Sequence, residues 1–518
     1  MSARHTLLAA LALAASLAPA VRADAPAPNA AAAGATAQPP AKADLYTVIE
    51  HARQALLADQ YDEAGKTLDA VLKMPEFAEA DESVQFRVFL FAAVAARGRE
   101  DFLGAHEFIS IATKFPEATA EHWLLRARYA SWIDAWSDAG TAILMTARNW
   151  PAELAKADPE LVTQIADGMK RDGKYPAERR DLLKALFEAK FTLEWGLQPD
   201  DLWNDLILDA LAHDDLRRAR EINRRVESTA TLLRMRIDRR YDALVTAERR
   251  TFNIAANAER ERKRLAKLVP ANPRSLDVQV KYGSALAQVG RFNDLLVLTN
   301  AVLGRIAAAA DKTSPYDDIS DELNWIYDLK ARALRALGRW DEALAVMKAG
   351  RHEQEEGSDN VSQAINLGAI YLDYGRPQEA LEALDGIDWA HSLSPYGRMQ
   401  LQDVRYRAYR QLANASEADV VFAYLREHHE DAEDTWQYAM LVSGDVDGAA
   451  ALLIARLRDP LKRGEALVDV QDYEPVPRLP KMQEEHDRWV ALVARADVTA
   501  AINEVGRREM QPLHDVTW

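Results

Sequence analysis

Along most of this chain apolar residues recur at three- and four-residue spacing, and no stretch alternates with period two for long enough to argue for a sheet. The pattern predicts helices nearly throughout. They are separated by short polar turns, and the helix after many of these turns carries a small residue at one fixed place. Gly338-Arg339-Trp340-Asp341-Glu342-Ala343-Leu344 is one copy of this turn and helix start. Tyr374-Gly375-Arg376-Pro377-Gln378-Glu379-Ala380-Leu381 is a second, and Asp59-Gln60-Tyr61-Asp62-Glu63-Ala64 is a third. Before the second copy stands Asn366-Leu367-Gly368-Ala369-Ile370-Tyr371, a first helix with its own small residue. A small residue on each of two paired helices lets their backbones approach closely, and a large residue nearby fills the remaining gap.

These elements together resemble the tetratricopeptide repeat, a helix–turn–helix unit of about 34 residues. Indexed by the small position of the second helix, the copies fall at Ala64, Ala105, Ala219, Leu295, Ala343, Ala380, Ala418 and Ala449. The gaps are 41, 114, 76, 48, 37, 38 and 31 residues. The second and third are multiples of 38, so degenerate repeats are expected between Ala105 and Ala219 and between Ala219 and Leu295. The 48-residue gap holds Asp311–Asp321, a polar acidic stretch that reads as a longer loop. Pro75, Pro116 and Pro460 fall near the ends of second helices. Lys330 and Tyr406 depart from the pattern. The resemblance is closest over Asn324–Leu384 and most degenerate over Trp123–Pro273. It implies an all-α protein, an α–α superhelix over 44–460.

Beyond Pro460 the pattern changes. Tyr473–Pro480 holds three prolines and reads as extended. Lys481–Ala496 and Val498–Arg508 read as two helices. A repeat array needs a polar cover over its last apolar face, and 461–518, ending in Trp518, is expected to be that helical cap.

The N-terminus reads as a secretory signal. Arg4 and His5 precede an apolar run from Thr6 to Leu17, and Val21-Arg22-Ala23 is a small-x-small cleavage site. Cleavage is placed after Ala23, with Ala20 as the alternative. Asp24–Ala43 is Ala/Pro-rich and nearly uncharged, a flexible tether. No later apolar stretch reads as long enough to span a bilayer. Composition and signal style together suggest the bacterial periplasm.

The 518 residues carry a formal charge of −17, which disfavours general nucleic-acid binding. There are no cysteines, so disulfides, thiol nucleophiles and Cys-ligated metals are excluded. No His-Glu-x-x-His, phosphate-loop or nucleophile-elbow motif occurs. His428-His429-Glu430-Asp431 is the densest ligand-like cluster. It reads as a linker or helix cap between repeats, with divalent-metal binding as the alternative. Residues 214–267 hold 16 Lys/Arg against 9 Asp/Glu. That stretch is either an anion-binding surface or a solvated face with its own ion pairs. The expectation is a protein without catalysis and without a cofactor.

In the tetratricopeptide frame the concave groove takes the second, fifth, ninth and twelfth residue of each unit. This implies Trp325, Asp328, Arg332 and Arg335 from one unit, then Ser362, Ile365, Ala369 and Leu372. The next two units supply Gln400, Asp403, Arg407 and Arg410, then Asp431, Asp434, Tyr438 and Leu441. The expected binding residues are Trp325, Arg332, Arg335, Arg407, Arg410 and Tyr438. Asp328 and Asp403 stand one turn from Arg332 and Arg407 and can pair with them, which leaves Arg335 and Arg410 as the freer arginines. The Lys and Asn of the family's carboxylate clamp are absent: their places hold Asp328 and Arg332, or Ile365 and Ala369. The implied partner is an envelope protein or peptide segment, extended or partly acidic, bound in the groove. An envelope glycan or exopolysaccharide is the alternative, and a row of aromatics would favour it.

Overall fold

A computed structural model describes residues 44–309, 313–353, 360–387 and 393–515. The signal, the tether, Asp311, Lys312 and Trp518 lie outside the described residues. The chain forms two compact units, Met1–Leu206 and Ile207–Trp518.

In the first unit the helices are α1 (Leu45–Leu57), α2 (Tyr61–Val71), α3 (Pro75–Ala78), α4 (Glu82–Gly98) and α5 (Phe102–Ala112). There follow α6 (Ala120–Trp132), α7 (Trp136–Asn149), α8 (Pro151–Leu154), α9 (Pro159–Asp172) and α10 (Pro176–Glu188). The division falls within α11 (Asp200–Ala212). Four antiparallel hairpins, α1/α2, α4/α5, α6/α7 and α9/α10, make up the unit. Leu56, Leu68, Phe91 and Val94 build one core cluster, and Phe86, Leu90, Ile109 and Tyr129 build the next.

The second unit continues with α12 (Leu216–Asn223), α13 (Thr229–Ile237), α14 (Asp242–Ala247), α15 (Ile254–Ala271), α16 (Leu276–Gln288) and α17 (Phe292–Ala309). Next come α18 (Ile319–Ala336), α19 (Trp340–Gly350), α20 (Val361–Asp373), α21 (Pro377–Ala383), α22 (Pro395–Gln411) and α23 (Ala415–Glu427). The array ends with α24 (Glu433–Ser443) and α25 (Val446–Arg458). The C-terminal segment is α26 (Arg463–Asp469), β1 (Asp472–Glu474), α27 (Pro480–Val493), α28 (Ala496–Val505) and β2 (Met510–His514). The protein is an all-α superhelix of stacked helix pairs.

One local rule repeats. The fourth residue of each second helix is the small position, and all eight sequence-assigned residues there are at most 2% exposed. Five places earlier the chain turns through positive φ at Asp59, Glu100, Asp134, Asp214, Gly290, Gly338, Gly375, Ala413 and Gly444. The next backbone N–H then bonds back into the first helix, as from Arg376 to the Tyr371 carbonyl at 2.8 Å. A left-handed residue followed by this bond ends one helix and aims the next antiparallel to it.

The expected degenerate repeats are present. Ala139 and Arg179 occupy the fourth positions of α7 and α10, dividing the long gap into 34, 40 and 40 residues. Asn257, the fourth residue of α15, stands 38 residues from both Ala219 and Leu295. Two of these three positions are polar, which hides them from a search for small residues. Each polar group is satisfied locally. Arg179 donates to the Ala166 carbonyl at 2.8 Å and to Asp205 at 2.6 Å, and Asn257 donates to the Thr251 carbonyl at 2.7 Å.

The acidic stretch before α18 is loop over its described residues 313–318, and Asp318 accepts from the Leu276 and Asp277 amides at 2.7 and 3.1 Å and caps α16. Two expectations change. Among the described residues α17 does reach the length and apolarity to cross a membrane, with 18 residues at mean hydropathy 1.2. It is the second helix of a repeat, with Phe292, Leu295, Leu296, Thr299 and Val302 buried. The segment assigned as an end cover does place α26 and α28 against α25. It also reaches the beginning of the unit's array. The Arg507 amide donates to the Ile237 carbonyl at 2.9 Å, Arg236 pairs with Glu509 at 2.9 Å, and β2 packs on α15 and α16. Curvature of the array brings these distant helices within reach of one segment, and no local sequence pattern encodes curvature. β1 and β2 pair in parallel, Asp472 with Met510 and Tyr473 with Gln511. The buried Gln471 side chain supports them, accepting from the Glu509 amide at 3.0 Å and from Gln511 at 2.9 Å.

The close approach of paired helices gives a direct test. A Cβ on Gly368 would lie 2.8 Å from Val404 Cγ1 and 3.4 Å from the Ala380 carbonyl. Gly368→Ala is expected to lower stability by about 1–3 kcal/mol through overpacking. Adding Val404→Ala should relieve part of that loss, and urea unfolding of the three chains measures both effects.

Candidate functional site

The inner faces of α18, α20, α22 and α24 line a cleft of about 1310 Å³ in the second unit. Helical spacing brings Trp325, Asp328, Arg332 and Arg335 to the cleft from α18, at intervals of three or four residues. Ala369 and Asp373 come from α20, Gln400, Asp403 and Arg407 from α22, and Asp434, Thr435 and Tyr438 from α24. The opposite wall is the chain's own C-terminal segment: Tyr473 to Arg478 in extended form, then Met482, Glu485, His486 and Trp489 of α27.

Five of the six expected binding residues, Trp325, Arg332, Arg335, Arg407 and Tyr438, line this cleft. Arg410 does not. It occupies the position in α22 that Arg335 occupies in α18, but it is exposed outside the cleft. Over α18 the C-terminal segment passes close by, with Pro477 side-chain carbons 3.9 Å from where a Cβ on Gly338 would stand. Nor is Arg335 a freer arginine. It is 8% exposed, its Nη2 lies 3.4 Å from Asp373, and its guanidinium stands 5.7 Å from the Trp340 ring. The repeat count also slips by one in α20, where Leu372 enters the core and Asp373 faces the cleft. Leu441 is likewise a core residue.

The charges neutralise one another. Asp328 pairs with Arg332 at 2.5 Å and also accepts from Asn366 at 3.3 Å. Arg407 lies 2.9 Å from Asp403 and 3.6 Å from Glu485 of α27, with its guanidinium 5.5 Å from the Tyr438 ring. Burial pushes the Asp373 carboxyl up to about 6, although Arg335 and Arg407 pull the other way. Burial also raises Asp403 and drives the Tyr438 phenol well above its ordinary value. Burial opposes the Arg407 charge, but Asp403, Glu485 and Asp373 outweigh it and hold its pKa high. Nine carboxylates and six arginines face the cleft, so an arginine-rich surface is not what it offers.

Aromatic side chains are more numerous here than Trp325 and Tyr438 alone implied, because Tyr396, Tyr473 and Trp489 also line the cleft. Tyr473 and Trp489 belong to the C-terminal segment, whose place in the groove has no sequence signal. Elsewhere, several of the other candidate residues are paired within the chain. In the basic stretch Arg220 pairs with Glu248 at 2.9 Å, Arg240 with Asp238 at 2.6 Å and Arg262 with Glu259 at 2.6 Å. His428 stacks on Tyr424 with ring centres 4.2 Å apart and lies 3.6 Å from Asp431. Among the described residues no group of three or more His, Asp or Glu is placed to hold a metal ion.

No protein-family model matches the chain, and no curated protein does. Among solved structures it is similar to that of Naa15/Naa10 bound to HypK-THB, at 14% identity over 79% of this chain and 68% of that one, with a TM-score of 0.24. It is also similar to the crystal structure of the APC/C hetero-tetramer Cut9-Hcn1, at 12% identity over 90% of this chain and 96% of that one, with a TM-score of 0.23. At these scores neither likeness carries an argument, and the fold stands on the helix pairs themselves.

Two outcomes follow from the charge arrangement. Arg407→Met leaves Asp403, Asp373 and Glu485 without their shared cation and is expected to destabilise by about 3–5 kcal/mol. Arg407→Met/Asp403→Leu should recover most of that loss in urea unfolding. The Asp373 carboxyl is raised above its unfolded value, so its contribution is fully present below the unfolded pKa and is lost as pH rises through about 6. Asp373→Asn removes this dependence. The stability advantage of the unmodified chain over the variant should therefore shrink between pH 4 and pH 7, as followed by thermal melts.

Proposed function

We propose that this protein is a non-catalytic scaffold of the bacterial cell envelope, exported by its N-terminal signal, which binds a segment of a protein partner in the concave cleft of its second unit. The observation that carries this reading is the cleft itself. Inward faces of four successive first helices combine aromatic and aliphatic surface with charges that are already paired. Such a surface favours a folded or extended peptide that brings its own apolar anchors. Paired charges at fixed positions then select register more than they add affinity.

A second reading has its own support. Trp325, Tyr396, Tyr438, Tyr473 and Trp489 share the cleft with carboxylates and the Gln400 amide, and aromatic faces beside planar polar groups suit an envelope glycan.

Crosslinking in intact cells separates the two. Tyr396 is 54% exposed and Asp434 is exposed at the cleft, so both can be changed without breaking the buried network. A protein captured by the unmodified chain and lost by Tyr396→Glu/Asp434→Arg, with melting unchanged, is the expected result. Co-purifying saccharide in place of protein would favour the glycan. Equal protein capture by both chains would place the binding surface elsewhere. In the same cells the mature chain should begin at Asp24 in the periplasmic fraction; a retained Met1 in the cytoplasm would overturn the export reading.

A further inference from the structure

The groove already contains a helix, and that helix is held lightly. Of the fourteen residues of α27, Leu492 and Val493 are its buried ones, whereas α18 across the cleft buries ten of eighteen. Met482, Trp489 and Val490 are half-buried. The polar anchor is Glu485, which lies 3.6 Å from Arg407 and whose negative charge helps to raise the pKa of the Tyr438 phenol.

The outer face of α27 supports itself. Glu484 pairs with Lys481 at 3.1 Å and with Arg488 at 2.6 Å, so the helix carries its own i,i+3 and i,i+4 ion pairs. Both ends are marked by breaks in the helix. Pro475 and Pro477 precede it, Pro480 is its first residue, and it ends before Ala494 and Arg495, which lead into α28, itself packed on α25.

The groove does not need α27 for charge balance. Without α27 the lining loses Glu485 alone among its carboxylates, and eight carboxylates still face six arginines. Arg407 would keep Asp403 at 2.9 Å, and Arg332 would keep Asp328 at 2.5 Å. Departure of α27 therefore leaves no cation buried without a partner, which removes the largest penalty that opening a polar groove would otherwise carry.

We infer that α27 is a built-in occupant of the concave groove, and that the partner is an amphipathic helix that takes its place, setting a carboxylate between Arg407 and Tyr438 and apolar side chains where Met482, Trp489 and Val490 now lie. This rests on the reading above that the cleft is the binding surface. A tethered occupant competes at the high effective concentration set by its short connections. The apparent affinity of the partner helix is then lowered by the fraction of chains in which the groove is closed.

The probe is a fluorescent peptide with the sequence of Pro480–Val493, titrated against the full chain and against Glu485→Lys/Trp489→Ala in the full chain. The peptide is expected to bind the loosened variant at least about tenfold more tightly than the unmodified chain. The same peptide carrying Glu485→Lys should bind neither. Equal binding of the unaltered peptide to both chains, or no binding to either, overturns the inference. Hydrogen exchange on the unmodified chain needs no variant: amides of α27 should exchange well before those of α18, and equally slow exchange would likewise overturn it. If the peptide test fails while crosslinked protein is still lost by Tyr396→Glu/Asp434→Arg, the scaffold reading survives without the occupant. If capture is insensitive to that double variant, the scaffold reading falls with it.

Discussion

The distance between paired helices governs this protein. In nine second helices a residue buried at the fourth position, five places after a left-handed turn residue, lets two backbones come together. Gly368 shows the tolerance, since even one added carbon would press on Val404 and on the carbonyl of Ala380. Each hairpin that obeys this constraint presents its first helix in a constant orientation. A row of such helices becomes a continuous inner surface, and small rotations between neighbours curve it. The cleft is thus a consequence of spacing, and the individual side chains then give it character.

That character is set by low exposure. Arg335 is buried and Arg407 is half-buried; desolvation works against both charges, and both lie close to carboxylates, which in Arg407 prevail. Asp373, Asp403 and Tyr438 respond to the same burial with raised pKa values. A network of this kind holds its members in fixed geometry, because losing one member strands the others. It is poorly suited to attracting a partner over long distances. It is better suited to accepting one whose own polar group completes an arrangement already in place, as Glu485 does beside Arg407. The C-terminal segment also binds the array together. Gln471, Arg507 and Glu509 connect the last helices of the second unit to α13, while α27 between them contributes little buried surface. Strong contacts at the segment's ends and a weak one at its centre are what a tethered occupant requires.

The sequence by itself determined the helices, the turns between them and the repeat spacing, because apolar periodicity and a small residue after a turn are local properties. The divisibility of the long gaps by 38 pointed to hidden repeats, and helices stand there although Arg179 and Asn257 fill positions usually held by small residues. The intrahelical pairs Asp328–Arg332 and Asp403–Arg407 were legible for the same reason, since they depend on one helical turn. The groove register was legible in α18 and α22 but slipped in α20, where a one-residue offset exchanged Leu372 for Asp373. What only the tertiary structure decided was everything that depends on curvature. It placed the C-terminal segment inside the groove, buried Arg335 while leaving Arg410 in solvent, and gathered Tyr473 and Trp489 beside Trp325. Equivalent positions in a repeat have the same local surroundings but different distant neighbours, and those neighbours are set by how many small rotations separate one end of the array from the other.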